Sequence, residues 1–256
     1  MVSNMKLAVL TCAVFPSEAD ARQKLWIFLK SCKKAGVPKE DLHLYGIGHG
    51  FPGYRHMKLE MQLAYLKEQL AGNYTHVLYT DGWDAFFTGS LAEVVSKYEA
   101  MGSPKMLSSA CWQLGNESRM DPYAGCFSET DRYRYPCVGG YIAEVPYIIE
   151  MFERMLMLPR QTGDDCFNWY DGWQEGWFRP MLDSKCEIFQ VTDDNCSIED
   201  DGRLWNTHTS RRPCIWHHSG GFTHQSHGKD DALIPWAVRL GIISQSEADA
   251  SVAARI

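Results

Sequence analysis

The alternation of apolar and polar positions divides the chain into a regular first half and a less regular second half. Residues 5–11 form an apolar, β-branched run and predict a first strand. Residues 21–32 place Leu25, Phe28, Leu29 and Cys32 at helical spacing, with Gly36 as a stop. A second strand is predicted over 42–47, and residues 48–54 form a Gly/Pro loop. Residues 58–70 set Leu59, Leu63, Leu66 and Leu70 on one stripe, the clearest helix in the chain. A third strand over 75–80 runs straight into Asp81. A helix over 91–100 and a short strand over 105–109 follow. This β-α-β-α-β-α-β order predicts a mainly parallel sheet covered on both faces.

Beyond residue 110 the pattern loosens. Residues 111–137 are rich in Tyr, Arg, Gly and Cys and read as a long structured loop. A strand over 138–143 precedes a helix over 146–156 that turns Ile148, Ile149, Phe152, Met155 and Leu156 inward. Residues 164–177 are aromatic and acidic and predict a helix, 186–191 a late strand, 193–213 a polar loop and 232–256 helical packing. With no internal repeat and no low-complexity linker, one α/β domain spanning 1–256 is expected. It divides into a regular half, about 1–110, and a less regular half, 111–256.

Composition narrows the classes. With 45% hydrophobic and 22% charged residues the chain is globular in type. It holds no apolar run long enough for a membrane helix. The apolar N-terminal run resembles a weak signal peptide, but a buried strand followed at once by acidic residues is the expected reading. A cytoplasmic setting is therefore predicted. The net charge of −7 argues against a broad nucleic-acid-binding surface, leaving Arg132, Arg134, Lys185, Arg211 and Arg212 as members of a local basic patch. The nine cysteines include no CxxC pair, which fits a reducing compartment, with room for a disulfide or two between 111 and 214.

The chemistry concentrates where the third strand ends. Asp81 and Asp84 lie three residues apart at the carboxyl end of a strand, where open α/β sheets bind ligands. Paired carboxylates there suit a hard cation such as Mn²⁺ or Mg²⁺ bridging two phosphates. The alternative is a turn cap and a solvated carboxylate. Trp83 between them is a stacking surface for a nucleobase or a core tryptophan. Lys58 opens a helix after the Gly-rich loop and reaches a diphosphate, or is an exposed helix lysine. His217, His218, His224 and His227 cluster after Cys214. One imidazole completes a manganese site, while Cys214 with several histidines is the structural-zinc alternative and a plain surface cluster the third. Asp164 and Asp165, with the aromatics of 167–177 and Trp112, have the composition of a sugar site, or of an acidic helix N-terminus.

At these residues the chain resembles the glycosyltransferase domain of the procollagen lysyl hydroxylases and the related collagen-modifying galactosyltransferases. The resemblance runs from about Leu7 to Gly221. It rests on four blocks in common order: residues 77–87 (VLYTDGWDAFF), 108–112 (SSACW), 135–142 (YPCVGGYI), and 164–167 (DDCF) with 185–190 (KCEIFQ). It implies a GT-A, Rossmann-like fold, a UDP-sugar donor and Mn²⁺ held by Asp81, Asp84 and His217. It sets Trp83 on the uracil, Thr11 beside the nucleotide, Lys58 at the diphosphate, Gly139 and Gly140 in the Gly-Gly strand, and Trp112, Asp164 and Asp165 along the sugar and acceptor. Two departures stand out. The family's Gly-Asn-Gly after the histidine is His218-Ser219-Gly220 here, which leaves His217 and His218 as alternatives, and the usual asparagine before the Gly-Gly pair is Cys137.

The expected function is metal-dependent transfer of a hexose, glucose first, from a UDP-sugar to an acceptor hydroxyl with retention of configuration. The acceptor is a glycan, a hydroxylated protein side chain or a hydroxymethylated base of viral DNA. The rivals are a non-catalytic UDP- or sugar-binding module and a zinc-stabilised nucleic-acid-binding protein.

Overall fold

The computed structural model describes residues 5–49, 54–111, 132–157, 169, 171–172, 175–191, 195–218 and 229–253. Its first elements are β1 (Leu7–Cys12), α1 (Glu18–Lys24), α2 (Trp26–Ala35), β2 (Leu42–Tyr45), α3 (Tyr54–Tyr65), β3 (His76–Thr80), β4 (Ala85–Phe87) and α4 (Leu91–Ala100). There follow β5 (Met106–Cys111), β6 (Tyr135–Glu144), α5 (Val145–Met155), β7 (Met181–Leu182) and β8 (Phe189–Val191). The chain continues with β9 (Cys196–Ile198), β10 (Leu204–Asn206), β11 (Ile215–His217), α6 (Lys229–Arg239) and α7 (Gln245–Ala253).

Six strands form the central sheet in the order β2-β1-β3-β6-β5-β7. β1 pairs in parallel with β2 and β3, and β5 with β7, whereas β6 runs antiparallel to both β3 and β5. The sheet is thus mostly parallel, as predicted, with one reversed strand. Strand alternation sorts its side chains by face. Ala8, Leu10, Val77, Tyr79, Met106 and Tyr141 pack with Leu59, Leu63, Ile148 and Phe152 of α3 and α5. Leu7, Val9, Leu78, Leu107 and Ile142 pack with Phe28, Cys32, Val94 and Tyr98 of α2 and α4.

Several elements differ from the pattern reading. The helix expected over 21–32 is broken at Leu25, which serves as cap to both α1 and α2. The break lets Ala21 and Leu25 join a small cluster with Ala13 and Phe15 while Phe28 and Cys32 face the sheet. The helix over 58–70 begins earlier as α3 and ends in a π-helical turn, Leu66–Leu70, that keeps both of those leucines buried. The late strand is only three residues long. Asp183 organises the segment before it: its carboxylate accepts the backbone N–H groups of Glu187, Ile188 and Phe189, each at 2.8 Å. The polar loop over 193–213 contains the antiparallel pair β9 and β10. Among the described residues, no two cysteines are joined in a disulfide.

A second, three-stranded sheet in the order β4-β11-β8 positions the site. β11 runs antiparallel to β4, with His217 opposite Ala85, and parallel to β8, with His217 opposite Val191. Phe86 and Trp216 face a cluster built with Leu233, Ile234, Ala237 and Leu240 around α6. Lys34 of α2 ties this C-terminal region down by donating to the carbonyls of Leu240 (2.8 Å) and Gly241 (3.0 Å). Among the described residues, no helix is long and apolar enough to cross a membrane.

Candidate active site

The turn from β3 to β4 carries the two aspartates and is held from three sides. The Asp81 amide donates to the Gly139 carbonyl at 3.0 Å, extending the β3–β6 ladder by one bond. The Gly82 amide donates to Thr11 Oγ1 at 2.7 Å. A Cβ at position 82 would lie 2.6 Å from that oxygen and 2.9 Å from the Phe28 ring, so the turn can pack here only with glycine. The Asp84 carbonyl accepts the His218 amide at 2.7 Å, which stitches the start of β4 to the end of β11.

This stitching brings His217 over Asp84. His217 Nε2 lies 3.2 Å from Asp84 Oδ1, and both residues are buried. One ligand atom each from Asp81, Asp84 and His217 falls within 4.8 Å of the others. Burial by itself would lower the His217 pKa, but the Asp84 carboxylate, with Cys137, outweighs it and raises the pKa well above the usual imidazole value. The His218 ring instead stacks on Trp216, with centroids 5.4 Å apart, so His217 is the imidazole that joins the aspartates.

Asp81 has its own supports. Lys58 Nζ lies 3.1 Å from Asp81 Oδ1, and the Tyr79 hydroxyl donates to the same oxygen. Lys58 is buried, not an exposed helix lysine, and its ammonium lies 5.5 Å from the Tyr79 ring centroid. Tyr79 stacks on Tyr141 at 5.1 Å, and the Tyr141 hydroxyl accepts Gln62 Nε2 at 2.7 Å. Burial holds the Tyr141 hydroxyl well above the usual phenol range, and the Asp81 charge adds to that against the pull of Lys58. Tyr79 escaped attention in the sequence, although residues two apart on a strand share a face, which was the available signal.

Trp83 is half-buried, and one face of its indole stacks on Phe15 at 5.2 Å and 12°. Thr11 is fully buried, and its hydroxyl is engaged by Gly82. Gly139 lies against the His217 ring, where an added Cβ would come within 2.1 Å of Cε1. Gly140 faces Phe189 and Ser109. Trp112, Asp164, Asp165, His224 and His227 lie outside the described residues.

The donor set fits a divalent metal cation. Carboxylate is a hard donor and imidazole a borderline one, and opposite donors around such an ion stand about 4 Å apart. Cys214 is not in the group. Its buried thiol lies 3.5 Å from Lys97 Nζ, and burial pushes its pKa up to about 12. Arg211 pairs with Glu187, and Arg212 with Glu199 and Asp201. Arg134 lies over the Tyr135 ring.

No protein-family model matches the chain, and no curated protein does. Among solved structures, the chain is similar to a glycosyltransferase involved in the glycosylation of the major capsid of PBCV-1. That similarity is at 10% identity and a TM-score of 0.46, over 84% of this chain and 93% of that one. It is also similar to 4-diphosphocytidyl-2C-methyl-D-erythritol synthase from Anaerococcus prevotii DSM 20548, at 13% identity and a TM-score of 0.39, over 70% of this chain and 89% of that one. At these levels the likeness leaves the activity to be argued from the site itself.

Proposed function

We propose that this chain transfers a hexose, glucose first, from a UDP-sugar to an acceptor hydroxyl, with Mn²⁺ or Mg²⁺ held by Asp81, Asp84 and His217. The observation that carries the reading is the convergence of these three donors beyond the carboxyl end of a central strand. When bound, the cation supplies charge neutralisation to the departing diphosphate. Lys58, already at the edge of the cluster, adds a second positive charge on the same side. The indole of Trp83, backed on one face by Phe15, offers its other face to uracil. Thr11 acts beneath the nucleotide by holding the Gly82 turn. Gly139 lets the His217 ring seat against β6; by resemblance, Gly139 and Gly140 belong to the strand beside the donor, and Trp112, Asp164 and Asp165 border the sugar and acceptor. Retention of configuration is the expected outcome.

Because Arg211 and Arg212 already pair with carboxylates, glycans and hydroxylated peptides come before hydroxymethylated DNA as acceptors to screen. The test is UDP release from UDP-glucose, UDP-galactose, UDP-N-acetylglucosamine and UDP-xylose, with Mn²⁺, with EDTA and with Asp84→Ala. Release from one donor that needs the metal and disappears in the variant is expected. Absence of UDP binding in the presence of Mn²⁺ would overturn the proposal.

A further inference from the structure

The two ring nitrogens of His217 face different partners. Nε2 is turned to Asp84, while Nδ1 lies 3.6 Å from the sulfur of Cys137. Cys137 and Gly139, both on β6, each lie against the His217 ring. The ring sits so close to the strand that position 139 admits no side chain. The cradle arises from an irregularity in the sheet. Ser108 is opposite Tyr141, but Ser109 is opposite Cys137, so residues 138–140 are extra on β6. Ser109 Oγ donates to the Cys137 carbonyl at 2.8 Å and closes this bulge. Bulges of this kind re-aim side chains beside functional sites.

We propose that Cys137 is a positioning residue for the metal centre: its sulfur accepts the Nδ1–H of His217 and so fixes the imidazole with Nε2 directed at Asp81 and Asp84. This inference rests on the metal-dependent reading above. The sulfur lies on the far side of the ring from the cluster and is not in the group of three, so it orients a ligand and is not one. A partner on the second nitrogen of a ligating histidine sets the tautomer and ring orientation, and its loss typically weakens metal binding by about 10–100-fold.

The experiment measures Mn²⁺ affinity by the EPR signal of the free ion, for wild type, Cys137→Ala, Cys137→Ser and Asp84→Ala. Thermal melting of each metal-free protein checks the fold. The expected result is a loss of about tenfold or more in Cys137→Ala at an unchanged metal-free melting temperature, with Cys137→Ser within about threefold of wild type. Wild-type affinity in Cys137→Ala, alongside loss of binding in Asp84→Ala, would overturn the positioning role and leave the metal site standing. If Cys137→Ala melts early, a Cys137→Ser variant as weak as Asp84→Ala would also overturn it, because the weakening would then not follow loss of an acceptor. No Mn²⁺ binding by wild type would overturn the metal reading, and this inference with it.

Discussion

At the scale of the residue, the proposed site depends on groups that touch Asp81, Asp84 and His217 as much as on those three residues themselves. Gly139 has no room for a side chain, since its Cβ would meet the His217 ring at 2.1 Å. Gly139→Ala should therefore displace the imidazole and weaken Mn²⁺ binding by about tenfold or more, as read by EPR. Wild-type affinity would mean that the ring moves without consequence. Tyr79→Phe removes the hydroxyl that donates to Asp81 but keeps the ring stacked on Tyr141. It should lower metal-dependent UDP release by about tenfold while leaving the melting temperature nearly unchanged. Asp81, Asp84 and the cluster around His217 were legible in the sequence, because carboxylate spacing at a strand end is a local pattern. The choice of His217 over His218 was not, since it follows from which of two neighbours stacks on Trp216.

Elements place these residues, and one short turn does so through a buried charge. Asp183 is fully buried, and burial outweighs its three N–H bonds to raise its pKa from 3.8 to about 6. A carboxyl whose folded pKa is raised contributes stability that is fully present below the unfolded value and lost as pH rises through the folded one. The window here is about pH 4 to 6, and the shift corresponds to roughly 3 kcal/mol. In urea unfolding, the stability advantage of wild type over Asp183→Asn should thus be largest at and below pH 4, shrink between pH 4 and 6 and level off above that. A constant difference across that range would count against the assignment. Element scale is also where pattern reading was most uneven. The 91–100 helix was read at its observed limits, because Leu91, Val94 and Tyr98 form one apolar stripe. β4 and β11 went unrecognised, since three-residue strands carry too few alternations to register.

Across the whole molecule, the C-terminal helices support the second sheet from behind. Leu233, Ile234 and Leu240 close the cluster containing Phe86 and Trp216, the neighbours in sequence of Ala85 and His217. Leu240→Ala should cost about 2–5 kcal/mol in chemical unfolding, because a nearly buried leucine leaves a cavity. Metal affinity of the folded variant should stay at the wild-type level, and a fall in affinity at full stability would assign the turn after α6 a direct part in the site. The sequence by itself determined the strand–helix alternation, the two-faced core and the acidic end of β3. Those features are periodic or contiguous and carry their own physical cause in neighbouring residues. Only the tertiary structure decided the reversal of β6, the burial of Lys58 against Asp81, and the meeting of His217 with Asp84. Each joins segments far apart in the chain, and their association is set by packing and hydrogen bonds that no local pattern encodes.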